Sequence, residues 1–171
     1  MAVQTDSFDL GRLSLSSGEG RRLDLVVGVD GFDFGGQRYE VPGGEVDAAL
    51  DISHMISGYS LRLRFKTELD GPCVRCLEPA GHGIDIDVRE VEQPGGVEEL
   101  SSEYVDGDQL DLHGWARDAL VLALPVQIVC REDCAGLCAV CGENLNTAGP
   151  EHFHEPEPDL RWAALRELKL D

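Results

Sequence analysis

The run YSLRLRFKTEL, residues 59–69, decides the fold class. Tyr59, Leu61, Leu63, Phe65, Thr67 and Leu69 share one parity; Ser60, Arg62, Arg64, Lys66 and Glu68 share the other. Successive side chains of a strand point to opposite faces, so this period of two describes a strand with one buried and one charged face. Working outward, Leu23, Leu25, Val27 and Val29 repeat the pattern, as do Val46, Ala48, Leu50 and Ile52, and then Ile84, Ile86 and Val88. Gly35-Gly36, Pro42-Gly43-Gly44 and Gly95-Gly96 separate these runs as turns. A mainly antiparallel sheet, or a small barrel, is the expected core.

Past Asp111 the period changes. Leu112, Trp115, Ala119 and Leu122 are spaced three, four and three apart, which places them on one side of a helix. Asp111 is its expected N-cap and Pro125 its stop. Residues 130–158 carry little periodicity and read as loops, and a second short helix is expected from Asp159, with Trp162, Leu165 and Leu168 as core contacts. The expected class is therefore α+β: an antiparallel sheet or small barrel, two short helices and a C-terminal region like a zinc knuckle. Residues 1–128 read as the β-rich core plus helix. Residues 129–171 read as the Cys/His-rich zinc region and closing helix, the two forming one integrated domain. There is no internal repeat of useful length.

Those cysteines and histidines carry the chemistry. Cys73 and Cys76 form a C-x2-C pair. Cys130, Cys134, Cys138 and Cys141 follow as C-x3-C-x3-C-x2-C, then His152 and His154. Zinc takes four thiolate or imidazole ligands in a tetrahedron, and closely spaced pairs supply them. Four pairs suit two zinc ions, or one ion and spare thiols. A thioredoxin-type pair needs a helix starting at its first cysteine, whereas Pro79 and Gly81 after Cys73–Cys76 favour a turn. Gly142 lets the chain wrap a metal after Cys141. His152 and His154 would face opposite ways on a strand, so they share a metal only from an irregular loop.

Composition narrows the function. The 171 residues carry a formal net charge of −19, which argues against a broad basic face that coats nucleic acid and suits a basic partner. Ten acids and one base, Arg89, lie between Ile84 and Asp111, as a solvated face or a contact for such a partner. Arg62, Arg64 and Lys66 form a basic row, read either as a contact for RNA or an acidic partner, or as guards on a solvated or edge strand. The most apolar stretch, Leu120 to Val129, is too short for a bilayer and is broken by Pro125, and the N-terminus lacks a signal-peptide pattern. A cytoplasmic protein with reduced cysteines and no membrane partner is expected. No nucleotide-binding, hydrolase or metalloprotease motif is present, and His54, His82 and His113 are isolated. No enzyme activity or small-molecule substrate is expected.

The chain resembles the YceD family of large ribosomal RNA subunit accumulation proteins. Four segments carry the likeness: Cys73-Val-Arg-Cys76-Leu77-Glu78; Gln109-Leu-Asp-Leu112; Leu122-Ala-Leu-Pro125; and Cys134-Ala-Gly-Leu-Cys138-Ala-Val-Cys141-Gly142-Glu-Asn144-Leu-Asn146. Residues 159–165 resemble the family's closing helix. Many relatives have C-x-C where this chain has His152-Phe-His154, an exchange that a retained zinc site permits. Some relatives lack the Gly-Leu-Cys-x-x-Cys segment and the C-x-C together while keeping the first C-x-x-C, which implies two separable sets: Cys73, Cys76, Cys130 and Cys134; and Cys138, Cys141, His152 and His154. The rival is one site of Cys130, Cys134, Cys138 and Cys141, with Cys73 and Cys76 as free thiols. The resemblance implies an accessory protein of ribosome biogenesis whose partner is a large-subunit preribosomal particle, its RNA or a basic ribosomal protein. A thiol oxidoreductase using Cys73 and Cys76 is the competing expectation, and a structural zinc scaffold without an RNA role is a third.

Overall fold

In chain order the strands are β1 (Ser7–Asp9), β2 (Gly20–Gly28), β3 (Phe32–Phe34), β4 (Gln37–Tyr39), β5 (Glu45–Met55), β6 (Gly58–Pro72), β7 (Pro79–Glu92), β8 (Val105–Asp106) and β9 (Gln109–Asp111), followed by helix α1 (Leu112–Leu122). This is a computed structural model, and it describes residues 4–95 and 100–155. The helix expected from Asp159 lies outside the described residues.

The four alternating segments are β2, β5, β6 and β7. They form one antiparallel sheet in the order β2-β5-β6-β7. Leu61, Leu63, Phe65 and Leu69 of β6 are buried, as are Val46, Ala48, Leu50 and Ile52 of β5 and Ile84 and Ile86 of β7. Truncating one of these, such as Leu63 to Ala, costs about 2–5 kcal/mol in lost transfer energy and cavity formation.

The sheet is open. Its outer strands β2 and β7 do not pair with each other, so the barrel alternative is set aside. The apolar face is covered instead by α1, which touches β1, β2 and β7 and buries Leu112, Trp115, Ala116, Ala119 and Leu120. Asp111 caps this helix as expected, its carboxylate accepting from the Gly114 amide at 2.9 Å. Pro125 lies three residues past the last helical residue. Two small additions, the sheet β1-β9-β8 and the hairpin β3-β4, flank the main sheet.

One feature of the sheet positions the site. β6 pairs with β7 as far as Pro72 opposite Pro79, but β5 accompanies β6 only to Phe65. Lys66–Pro72 and their β7 partners therefore run on as a two-stranded arm. The arm is held from the side by β4 and the residue after it. Glu40 and Asp70 exchange backbone hydrogen bonds of 2.9 Å, and the buried Tyr39 hydroxyl donates to the Pro72 carbonyl at 3.1 Å. A side chain at Gly71 would put its Cβ 2.1 Å from the Tyr39 ring, so only glycine allows this close approach.

Candidate metal centres

The arm ends in the turn between β6 and β7, a tight knuckle of chain that presents Cys73 and Cys76. The Cys73 amide donates to the Glu78 carbonyl at 2.8 Å, and the Leu77 amide to the Cys73 carbonyl at 2.9 Å. Leu77 adopts φ 62°, in the left-handed region. The turn at Cys138–Glu143 repeats this: the Cys138 amide donates to the Glu143 carbonyl at 2.8 Å, the Gly142 amide to the Cys138 carbonyl at 2.8 Å, and Gly142 has φ 76°. The segments CVRCLE and CAVCGE are thus two copies of one turn. Six residues with three identities fall below what sequence alone marks as a repeat. Gly142 behaves as expected, while Leu77 holds the same conformation at a cost of about 1–2 kcal/mol.

Each knuckle meets a second pair of candidate ligands. Cys130 and Cys134 join Cys73 and Cys76; His152 and His154 join Cys138 and Cys141. Within each set the ligand atoms all lie within 4.8 Å of one another. In the inner set, Cys73 Sγ is 3.8 Å from Cys134 Sγ and Cys76 Sγ is 3.6 Å from Cys130 Sγ. A disulfide needs about 2.05 Å, whereas four thiolates at about 2.3 Å from one zinc ion stand about 3.8 Å apart. In the outer set, Cys141 Sγ is 3.8 Å from His152 Nε2 and 3.2 Å from His154 Nε2; the tetrahedral sulfur-to-nitrogen spacing for zinc is about 3.5 Å. Both donor sets therefore fit a tetrahedral ion. The two histidines lie in an irregular stretch, as sharing a metal requires. The rival grouping of Cys130, Cys134, Cys138 and Cys141, with Cys73 and Cys76 as free thiols, is not the one the fold assembles. Cys130 and Cys134 come from beyond residue 128 and meet Cys73 and Cys76 from before it, so the inner set straddles that expected division.

The electrostatics suit cation binding. Burial raises the Cys73 pKa, but amides of Cys130, Arg75 and Cys76 outweigh it and hold the thiol at about 6. Cys138 is held at about 6, chiefly by its hydrogen bond with His152 and then by the Cys141 and Val140 amides. Cys130 is pushed up to about 12 by desolvation of its sulfur and by the neighbouring Cys76, Cys134 and Cys73. Four thiols this close cannot all ionise without a cation among them.

Sequence reasoning missed the outer-sphere groups. His152 Nδ1 lies 2.9 Å from a Glu143 carboxylate oxygen, which leaves Nε2 facing the cluster; such a carboxylate sets the tautomer and orientation of a metal-binding imidazole. Asn146 Nδ2 donates to Cys134 Sγ at 3.4 Å, and the Arg75 amide to Cys73 Sγ at 3.4 Å. Neither Glu143 nor Asn146 shows a periodic signal; their only mark is membership of the Cys141-Gly142-Glu143-Asn144-Leu145-Asn146 run.

The basic row lies on the solvated face of the sheet. β6 is an interior strand as far as Phe65, so Arg62 and Arg64 guard no edge, while Lys66 begins the two-stranded arm. Each faces an aspartate of a neighbouring strand: Arg62 makes a two-pronged contact with Asp87 at 2.6 and 2.5 Å, Arg64 reaches Asp51 at 2.5 Å, and Lys66 pairs with Asp85. The hydrogen bond from Arg62 is the main reason the Asp87 carboxyl lies below its usual range. The acidic run is also divided. Asp85 and Asp87 are paired, buried Glu92 accepts from the Ser102 amide at 2.8 Å, and Asp111 caps α1.

A family model described as "Large ribosomal RNA subunit accumulation protein YceD" matches residues 61–169, from β6 through both clusters. An uncharacterized protein of Mycobacterium tuberculosis is 32% identical over 132 residues, covering 74% of this chain and 63% of the relative. An uncharacterized protein of Mycobacterium leprae is 33% identical over 103 residues, covering 56% and 46% respectively. A Zea mays protein named "Large ribosomal RNA subunit accumulation protein YCED homolog 1, chloroplastic" is 27% identical, covering 85% of this chain and 60% of the relative. The chain thus spans less than two thirds of the length of these curated relatives. No solved structure matches it significantly. Among the described residues no helix is long and apolar enough to cross a membrane.

Proposed function

The chain belongs to the YceD family, and we propose that it acts as a non-enzymatic accessory protein of ribosome biogenesis, serving the accumulation, processing or stability of large-subunit ribosomal RNA, with a zinc ion in each cluster. The description of the matching family and the name of the maize relative support the ribosomal part. The observation that carries the structural part is that all six cysteines and two of the histidines are gathered into two closed four-ligand sets. A mixed thiolate and imidazole set, as in the outer cluster, favours zinc over iron.

The partner in this reading is a large-subunit preribosomal particle in the cytoplasm. With a net charge of −19, contact through a basic ribosomal protein is favoured over contact with naked RNA. The Arg62, Arg64 and Lys66 row adds little attraction for phosphate, because aspartates neutralise it. Replacing all three by Gln should leave co-sedimentation with large-subunit precursors, and its salt dependence, close to wild type; a clear loss would restore the row as an RNA contact.

The direct test is the ratio of large- to small-subunit ribosomal RNA in depleted cells. It should fall selectively, and rescue should come from wild type but not from Cys73→Ser/Cys76→Ser. An unchanged ratio would remove the ribosomal reading.

The C-x2-C spacing of Cys73 and Cys76 supports a second reading, a thiol oxidoreductase. Alkylation separates the two. A metal-held pair resists a thiol reagent until a chelator is added, whereas a catalytic pair reacts at once, with or without it.

A further inference from the structure

The two clusters share a piece of chain. Asn144 and Asn146 lie between Cys141 and His152, inside the loop that the outer cluster closes. Their side chains nevertheless point at the inner cluster. Asn146 Nδ2 donates to Cys134 Sγ at 3.4 Å and to Asn144 Oδ1 at 2.9 Å. Its Oδ1 accepts from the Ala135 amide and from Arg131 Nη2, both at 2.8 Å. Two donors on the oxygen side and two acceptors on the nitrogen side, the sulfur and Asn144 Oδ1, leave a single sensible orientation of this amide, with N–H toward the sulfur. Asn144 Oδ1 also accepts from the Asn146 backbone amide at 3.0 Å, and Asn144 Nδ2 reaches Glu78 of the first knuckle at 3.4 Å.

The knuckles are joined by backbone as well. The Leu137 amide donates to the Arg75 carbonyl at 3.0 Å, and the Leu145 amide to the Gly136 carbonyl at 2.9 Å. A thiolate bound to a metal keeps residual charge, and an N–H donor stabilises it and fixes its direction. Asn146 serves Cys134 in this way while the 141–152 loop is closed, and a metal held by Cys138, Cys141, His152 and His154 would fasten that closure.

We infer that the Asn144–Asn146 turn couples the two clusters, so that filling the outer one tightens metal binding at the inner one through the Asn146 N–H on Cys134. Asn146 is a positioning residue, since it acts on the metal through a ligand. The coupling is reciprocal in free energy: filling the inner cluster tightens the outer by the same factor. This rests on the reading of both clusters as metal sites.

The experiment loads the full chain with cadmium and follows each site by cadmium-113 resonance during titration with a competing chelator. Four-thiolate and two-thiolate, two-imidazole sites resonate apart, so each affinity is read separately. Wild type should show both resonances; a single one would overturn the two-site reading itself. In His152→Ala/His154→Ala, the inner site should lose its cadmium at about 10–100-fold lower chelator concentration, the range typical of lost outer-sphere support. Asn146→Asp should do the same with both resonances still present. That isosteric change keeps the acceptor for the Ala135 amide and Arg131 and removes the N–H from sulfur. Far-UV circular dichroism confirms that the sheet is retained. An inner affinity equal to wild type in the histidine variant would overturn the coupling. An inner affinity equal to wild type in Asn146→Asp would overturn the assignment to Asn146.

Discussion

The inner and outer clusters are built on the same six-residue turn and yet differ in nearly every physical respect. The inner one is all thiolate, with Cys73, Cys76 and Cys134 at most 4% exposed. Its ligands are distant in sequence, Cys73 and Cys134 by 61 positions and Cys76 and Cys130 by 54. The outer one has an exposed Cys141 and half-buried histidines, and its ligands Cys141 and His154 are 13 positions apart. Loop-closure entropy grows with the logarithm of loop length, so bridging 61 positions rather than 13 restricts the unfolded chain by about 1.4 kcal/mol more. The comparison teaches that one turn serves two purposes. The inner copy fastens the β6–β7 arm to the chain that follows Ile128; the outer copy shapes its own loop and reaches the inner cluster only through the side chains that loop carries.

The strongest way to break that contrast is Cys73→Ser with Cys134→Ser. It should remove one metal equivalent and about 3 kcal/mol or more, a fall in Tm of about 6–12 °C at this chain length. Calorimetry gives the Tm, and limited proteolysis should cut after Arg131 while the sheet survives. If Tm is unchanged, the inner cluster fastens nothing. Next is Gly71→Ala, which drives a methyl group into the Tyr39 ring. A cost of about 1–3 kcal/mol is expected, and chelator should strip the inner metal sooner as the arm shifts. Smaller again is His152→Ala with His154→Ala. The outer metal should be lost for about 1 kcal/mol of global stability beyond what the weakened inner site gives up, because the loop it closes is short; a direct loss equal to that of the cysteine pair would abolish the distinction between the sites.

Two mild substitutions sharpen it. Glu143→Gln keeps a hydrogen-bond acceptor near His152 Nδ1 but removes the charge, so outer metal affinity should fall about tenfold, as read by chelator competition. Leu77→Gly relieves the left-handed φ of 62° that Gly142 already meets without strain. The gain is about 1 kcal/mol or less, since glycine also adds freedom to the unfolded chain. A higher Tm would confirm that the two turns obey one conformational rule.

Much of this architecture is written in local pattern. Alternation at residues 59–69 marks β6 and its buried face, because a pleated strand has no other way to place Leu61, Leu63 and Phe65 together. Asp111 announces α1 because a helix start needs an acceptor. The same alternation cannot say which strands are neighbours. Arg62, Arg64 and Lys66 look alike on an edge strand and on an interior one, and only the register with Asp51, Asp85 and Asp87 distinguishes them. Nor does period two say whether β2 meets β7; α1 settles that by covering the face. β1, β8 and β9 have two or three residues each, too few for any period to show. For the site, the candidate residues were legible from spacing, while the grouping of Cys73 and Cys76 with Cys130 and Cys134 depends on where the arm ends. Glu143 and Asn146 act through single contacts, which leave no pattern along a chain.

The 54 positions between Cys76 and Cys130 also set a clock during synthesis. A ribosome adding about 5–20 residues per second takes about 3–11 s to pass from one to the other. For that interval each new chain carries the first knuckle as two thiols without their partners, open to oxidation or to a stray soft metal. The inner cluster can close only after the whole sheet and α1 have been made, so its completion reports that everything upstream has been translated.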